Sequence, residues 1–216
     1  MKYINSDWVN SFFNMMNASE LRYVLLKNAN DALPHKLPLK KSINILVHPD
    51  NRLNFFKLMK KNGYFNNPFY GIKRSNGYIF LYPMNDGDCF IKNKMNIEVF
   101  YQLNIHAMQK GYILPLDKKI QVSVWDNKVF NHDKSWWELG GYDLLTYLIV
   151  RSIFDKHNFS DRYIEAIEQK KYLLHDKEVL DRLSLIVFKF APRLVELIEQ
   201  AKYSQILNEY IGYSEY

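Results

Sequence analysis

The hydrophobic period of this chain changes once, close to Trp136, and that change constrains the fold more than any other feature of the sequence. Up to about residue 125 the clearest apolar runs alternate every second residue, as in a strand with one buried face. Beyond Trp136 they recur at spacings of three and four, as in a helix packed on one side. Strands with a few helices followed by helices alone make an α+β protein. The expectation is a small mixed β-sheet with flanking helices over residues 1–133 and a C-terminal helical bundle over residues 134–216.

Within the first part, Trp8, Phe12, Phe13, Met15 and Met16 have helical spacing, and Leu21 to Lys27 reads as a short buried strand ending on a polar turn. Lys41 to His48 alternates Ile43, Ile45 and Val47 against Ser42, Asn44 and Leu46, so Ser42 and Asn44 must face the same way. Pro49-Asp50-Asn51 begins a helix that runs through Leu53, Phe56 and Met59 to the stop at Asn62-Gly63. A hairpin is expected over Gly71 to Tyr82 with its turn at Arg74 to Gly77. In the strand over Lys94 to Leu103, Glu98 lies mid-strand, where acids are disfavoured. Ile120 to Trp125 reads as a further strand. Helices follow on Leu145 to Ile153, Tyr163 to Ile167, Val179 to Phe190, and from Leu194 on, with Pro192 separating the last two.

Charge narrows the function classes. The net charge is +6, and residues 36–61 hold seven bases (Lys36, Lys40, Lys41, Arg52, Lys57, Lys60, Lys61) against the single acid Asp50, a surplus equal to that of the whole chain. A basic zone of this size suits a phosphate-bearing small ligand or an acidic protein partner. Nucleic-acid binding would ask for a larger and more extended positive face. No apolar run reaches the ~18–20 residues of a bilayer span, so no membrane span is expected. The single Cys89 cannot close an internal disulfide and the first residues lack the apolar run of a secretory signal, so the expected compartment is the cytoplasm. The six histidines include no pair at i, i+3 or i, i+4, and no metal site is expected from them. Trp136-Trp137 offers either an aromatic platform for a sugar or base or, as favoured here, core packing.

The stretches Tyr23 to Asn28, Leu33-Pro34, Ser42 to Asp50 and Lys60 to Tyr64 together resemble bacterial nucleotidyltransferase-like proteins of the polymerase β superfamily, several of them encoded with surface-polysaccharide genes. The likeness covers residues ~20–105 best. It implies a sheet of nucleotidyltransferase type, in which an Asp-x-Asp strand and a third acid on a neighbouring strand hold Mg²⁺ on a triphosphate. The positions matching Asp-x-Asp are here Ser42 and Asn44, and only Glu98 matches a carboxylate, so the resemblance implies a degenerate site. Glu98 is the catalytic candidate, and Lys27, Asn28, Lys40, Ser42 and Asn44 are the ligand-binding candidates.

The expected function is binding of a nucleotide or sugar phosphate in bacterial surface-polysaccharide or sugar-nucleotide metabolism, with the metal-binding carboxylates largely lost, as in a pseudoenzyme. One alternative is an active nucleotidyl or phosphoryl transferase that uses Mg²⁺, Glu98 and a relocated acid from among Asp50, Asp86 and Asp88. The other is a non-catalytic protein-interaction module.

Overall fold

The structure is a computed structural model that describes residues 2–28, 32–39, 41–67, 72–75, 78–81, 87–107 and 113–214. In chain order the elements are α1 (Ser6–Asn17), β1 (Tyr23–Leu25), β2 (Ser42–Val47), α2 (Arg52–Lys61), β3 (Phe65–Asn66), β4 (Ile72–Ser75), β5 (Tyr78–Leu81), β6 (Gly87–Lys92) and β7 (Met95–Phe100). They continue with β8 (Asn104–His106), β9 (Ile113–Pro115), α3 (Lys118–Asp126), β10 (Val129–Asn131), β11 (Trp136–Glu138), α4 (Gly141–Arg151), α5 (Asp161–Glu168), α6 (Lys177–Val187), α7 (Ala191–Glu199) and α8 (Tyr203–Gly212). The chain is an α+β protein with a mixed sheet, flanking helices and a run of C-terminal helices. It forms two compact units, Met1–Leu103 with Lys128–Glu138, and Asn104–Asn127 with Leu139–Tyr216.

The first unit carries a seven-stranded sheet in the order β10-β11-β1-β2-β7-β6-β3. Its centre is the parallel pair β2–β7, in register from Ser42 opposite Asn96 to Leu46 opposite Phe100. β6 and β7 form a hairpin whose loop, Asn93-Lys94, has both residues at positive φ (51° and 63°), as a two-residue hairpin turn of matching twist requires. One face of this sheet presents Tyr23, Leu25, Ile43, Ile45, Val47, Ile97 and Val99, and α1 and α2 close it with Phe12, Phe13, Met16, Phe55 and Met59. Burying this many large apolar side chains at ~1.5–3 kcal/mol each holds the sheet and the two helices together. The opposite face carries Ser42, Asn44, Asn96 and Glu98 toward the start of the two strands and the apolar Leu46 and Phe100 toward their end, so the period-two pattern places the polar set together on one face.

Two expectations change in this unit. The tryptophan pair forms the last strand of the sheet instead of opening the helical half: β11 lies parallel to β1, with Leu25 opposite Glu138, and antiparallel to β10. Trp136 is completely buried, its ring 4.6 Å from that of Phe13. The 133/134 boundary therefore falls between two strands of one sheet. The expected hairpin is present as β4 and β5, antiparallel with Ser75 opposite Tyr78, while Asn76 and Gly77 lie outside the described residues.

The second unit contains α3 where a strand was expected. Ile120-Gln121-Val122-Ser123-Val124 alternates, but Ile120 and Val124 are also four apart. Asp117 caps the segment as a helix, its carboxylate accepting the Lys119 N–H at 2.8 Å. In that conformation Ile120 and Val124 are buried and Val122 is left 48% exposed. The end of α3 passes the start of α4 so closely that a Cβ on Gly140 would sit 2.4 Å from the Asn127 carbonyl oxygen, which excludes any other residue there. α4 continues into a π-helical turn, Ser152–Lys156, closed by His157 in the left-handed conformation. α6 ends at Val187, and α7 restarts with Pro192 in its first turn, as the sequence anticipates. No helix among the described residues is long and apolar enough to cross a membrane.

Candidate functional site

β2 and β7 bring the three positions of the expected motif together. The Ser42 hydroxyl donates to Glu98 Oε1 at 2.8 Å and Asn44 Nδ2 donates to Glu98 Oε2 at 2.5 Å. Parallel pairing of Asn44 with Glu98 makes this contact local, and Asn44 is only 4% exposed. Both oxygens of the one carboxylate are thus engaged by neutral donors. Such charge-assisted bonds contribute ~1.5–3 kcal/mol each and fix the orientation of the acid.

Mg²⁺ demands near-octahedral oxygen ligation with several anionic or water oxygens, and two-metal transfer needs two or more carboxylates at the ions. Ser42, Asn44 and Glu98 supply one negative charge, already spent on its neighbours, and do not fit that ion. Among the described residues no group of three or more His, Cys, Asp and Glu side chains is placed to hold a metal.

The acids considered as relocated ligands stand elsewhere. Asp88 is on β6, next to Cys89, but Cys89 is the residue opposite Glu98. The Asp88 side chain therefore lies on the helix-covered face, accepting from the Tyr101 hydroxyl at 2.8 Å. Asp50 lies beyond the other end of β2 and pairs with Arg22 at 3.1 Å. Asp86 is outside the described residues. Cys89 itself is buried beside Glu98, and burial first, then the charges of Glu98 and Asp88, push its thiol up to about 11, so it is no nucleophile at neutral pH.

Lys27 and Asn28 leave β1 alongside the start of β2, where Leu26 N–H donates to the Asn44 carbonyl at 2.9 Å. They lie at the end of the sheet where Ser42 and Asn96 begin their strands. The Asn28 side-chain carbonyl accepts the Leu33 N–H at 2.9 Å, which ties down the following loop. Lys40 lies outside the described residues. Trp137 carries Lys128 on its face, the ammonium 3.3 Å from the ring centroid, so that face already holds a cation.

At the far end of β2, His48 Nδ1 accepts from Arg22 at 2.9 Å and from the Asp50 N–H at 3.3 Å. Burial and the Arg22 charge hold its pKa below the ordinary value against the opposing pull of Asp50. This arrangement caps the short helix Pro49–Asn51 that leads into α2.

A buried polar network in the second unit was not foreseen. Arg182 Nε donates to Asp143 Oδ1 at 3.0 Å, Ser123 Oγ donates to the same oxygen at 2.7 Å, and Arg182 also holds Glu178 at 2.7 Å. The network floors a cleft of about 730 Å³ between α3 and α6. Its signal in the sequence is Arg182 itself, a charge inside the apolar stripe Val179, Leu183, Ile186.

No family model matches this chain, and neither does any curated protein. Among solved structures the chain is similar to an antigenic nucleotidyltransferase-like protein from Paracoccidioides brasiliensis, at 12% identity over 90% of this chain and 91% of that one, with a TM-score of 0.43.

Proposed function

We propose that this chain is a nucleotidyltransferase-like protein that binds a nucleotide or sugar phosphate without metal-dependent transfer, in bacterial surface-polysaccharide or sugar-nucleotide metabolism. The resemblance over residues ~20–105 motivates the ligand class and the setting. One observation carries the loss of transfer: Glu98, the acid left at the motif positions, has both oxygens clamped by Ser42 and Asn44. A phosphoryl transition state spreads charge over oxygens that Mg²⁺ and cationic side chains must balance, and a site with one self-satisfied carboxylate leaves that charge uncompensated. Binding alone asks less. Lys27 and Asn28 stand at the end of the sheet and Ser42 and Asn44 follow on β2, while Lys40 joins them as a candidate from the sequence alone.

The test is a melting-temperature screen against ATP, CTP, GTP, UTP and sugar nucleotides, each with and without Mg²⁺. A bound ligand at 100 times its Kd adds about 2.7 kcal/mol, which for a chain of this size raises Tm by roughly 5–10 °C. The expected result is a metal-independent shift that Lys27→Ala abolishes. A shift that requires Mg²⁺ would restore the transferase reading, and no shift with any nucleotide would leave the protein-interaction reading in its place.

A further inference from the structure

The second unit contains a histidine that the function above does not use. His106 closes β8, and its Nδ1 lies 2.9 Å from Asp155 Oδ1, the oxygen that also accepts the His106 backbone N–H at 2.9 Å. Asp155 sits on the π-helical turn that follows α4, and Arg151, one helical turn earlier, reaches its other oxygen at 3.4 Å. Arg151 is held in turn by the Tyr147 hydroxyl at 2.7 Å. π-helical turns recur at functional sites because the extra residue re-aims the side chains around it.

The burial of this group is graded. The Asp155 side chain is 7% exposed, while the His106 side chain is 52% exposed. Burial pushes the Asp155 carboxyl up, but the hydrogen bonds from His106 and the charge of Arg151 outweigh it and keep it below its ordinary value. A carboxylate 2.9 Å from Nδ1 makes that nitrogen the protonated one and leaves the Nε2 lone pair outermost. Nε2 has no hydrogen-bond partner among the described residues. His175 provides the contrast: it pairs with Glu199, but both side chains are exposed, 69% and 40%, so water competes for every bond of that pair.

We propose that His106, oriented by Asp155 and Arg151, is a nucleophilic imidazole that accepts an uncharged acyl group from an activated ester or thioester. The choice of acyl over phosphoryl follows from charge. Asp155 stands directly behind the ring and Arg151, the cation of the cluster, is turned toward Asp155 and Tyr147, so a phosphoryl dianion on Nε2 would lack compensation. A neutral carbonyl carries no such cost. In the step, the Nε2 lone pair bonds to the carbonyl carbon and the ester C–O bond or thioester C–S bond breaks, releasing the alkoxide or thiolate respectively. The developing positive charge on the ring is balanced by Asp155 across the Nδ1–H bond. Water then adds to the acyl carbon, the C–Nε2 bond breaks to give the carboxylic acid, and the proton left on Nε2 passes to the released alkoxide or thiolate, which restores the neutral His106.

The test uses the full chain and 4-nitrophenyl acetate as probe, reading 4-nitrophenolate release above the buffer rate. His106→Gln keeps the backbone N–H that holds Asp155 and is expected to lose at least about tenfold of the rate, whereas His175→Gln changes it less than twofold. Nitrogen NMR of the ring in the wild-type protein supplies a readout that needs no variant, with His106 carrying its proton on Nδ1. A loss in His106→Gln no larger than in His175→Gln, or a His106 ring protonated on Nε2 at pH 8, overturns the proposal.

Discussion

Replacing Asn44 by aspartate reverses the chemistry of the polar cluster and has a cost that the geometry allows to be estimated. The wild-type amide donates to Glu98 at 2.5 Å from a side chain that is almost fully buried. Asn44→Asp removes that charge-assisted bond, about 1.5–3 kcal/mol, and sets a second carboxylate against the first. Two unit charges 4 Å apart repel by about 4 kcal/mol at an effective dielectric constant near 20. The pair escapes part of this by taking up a proton. Holding a carboxyl of ordinary pKa near 4 protonated at pH 7 costs about 4 kcal/mol, at 1.36 kcal/mol per pH unit, and restores an O–H···O bond. Protonation thus caps the penalty at about 4 kcal/mol at pH 7, a fall in Tm of roughly 8–16 °C.

The sign follows from linkage. The shared proton gives the variant a folded-state carboxyl pKa above its unfolded value, so the variant's deficit is largest at neutral pH and shrinks by about 1.4 kcal/mol per unit as pH falls toward 4. Urea unfolding of the two proteins between pH 4.5 and 7.5 measures this directly. A deficit under 1 kcal/mol at pH 7, or one that does not change with pH, would refute the contact between Asn44 and Glu98 on which the proposed loss of transfer rests.

Two further outcomes follow from the same contacts. Arg182→Met leaves Asp143 buried without its charge partner and is expected to cost about 3–5 kcal/mol in chemical unfolding, with most of it recovered by adding Asp143→Leu; a cost below 1 kcal/mol would contradict the buried pair. His48, its pKa depressed by burial and by Arg22, contributes stability that is complete above the ordinary histidine value and is lost as pH falls through the lower folded value. An NMR titration should place its midpoint below 6.5, and Arg22→Met should raise it; an unchanged midpoint would remove Arg22 from the explanation.

Much of the first unit was legible from residue order. Ser42 and Asn44 are two apart in an alternating strand, and so are Ile97 and Val99 on either side of Glu98, which assigns each to a face whatever the strands pair with. Turn chemistry at Asn62-Gly63 and the helical spacing of Phe12, Phe13 and Met16 were equally local. The segment Ile120 to Val124 was not, because apolar residues at i, i+2 and i+4 satisfy a strand on one side and a helix through i and i+4. The Asp117 cap and the exposure of Val122 settled it as a helix. Trp136 to Glu138 is too short for any period to emerge, and its place beside β1 depends on a partner more than a hundred residues earlier in the chain.

The sequence by itself determined which side chains share a face and where the formal charges lie, since both follow from spacing and residue type. Only the tertiary structure decided which charges meet: that Glu98 spends both oxygens on Ser42 and Asn44, that Asp88 turns to the other face, and that Asp155 stands behind His106. The physical reason is range. Periodicity acts over a few residues of one element, whereas a hydrogen bond between side chains 50 or so residues apart exists only once strand register and helix ends have brought their atoms within 3 Å.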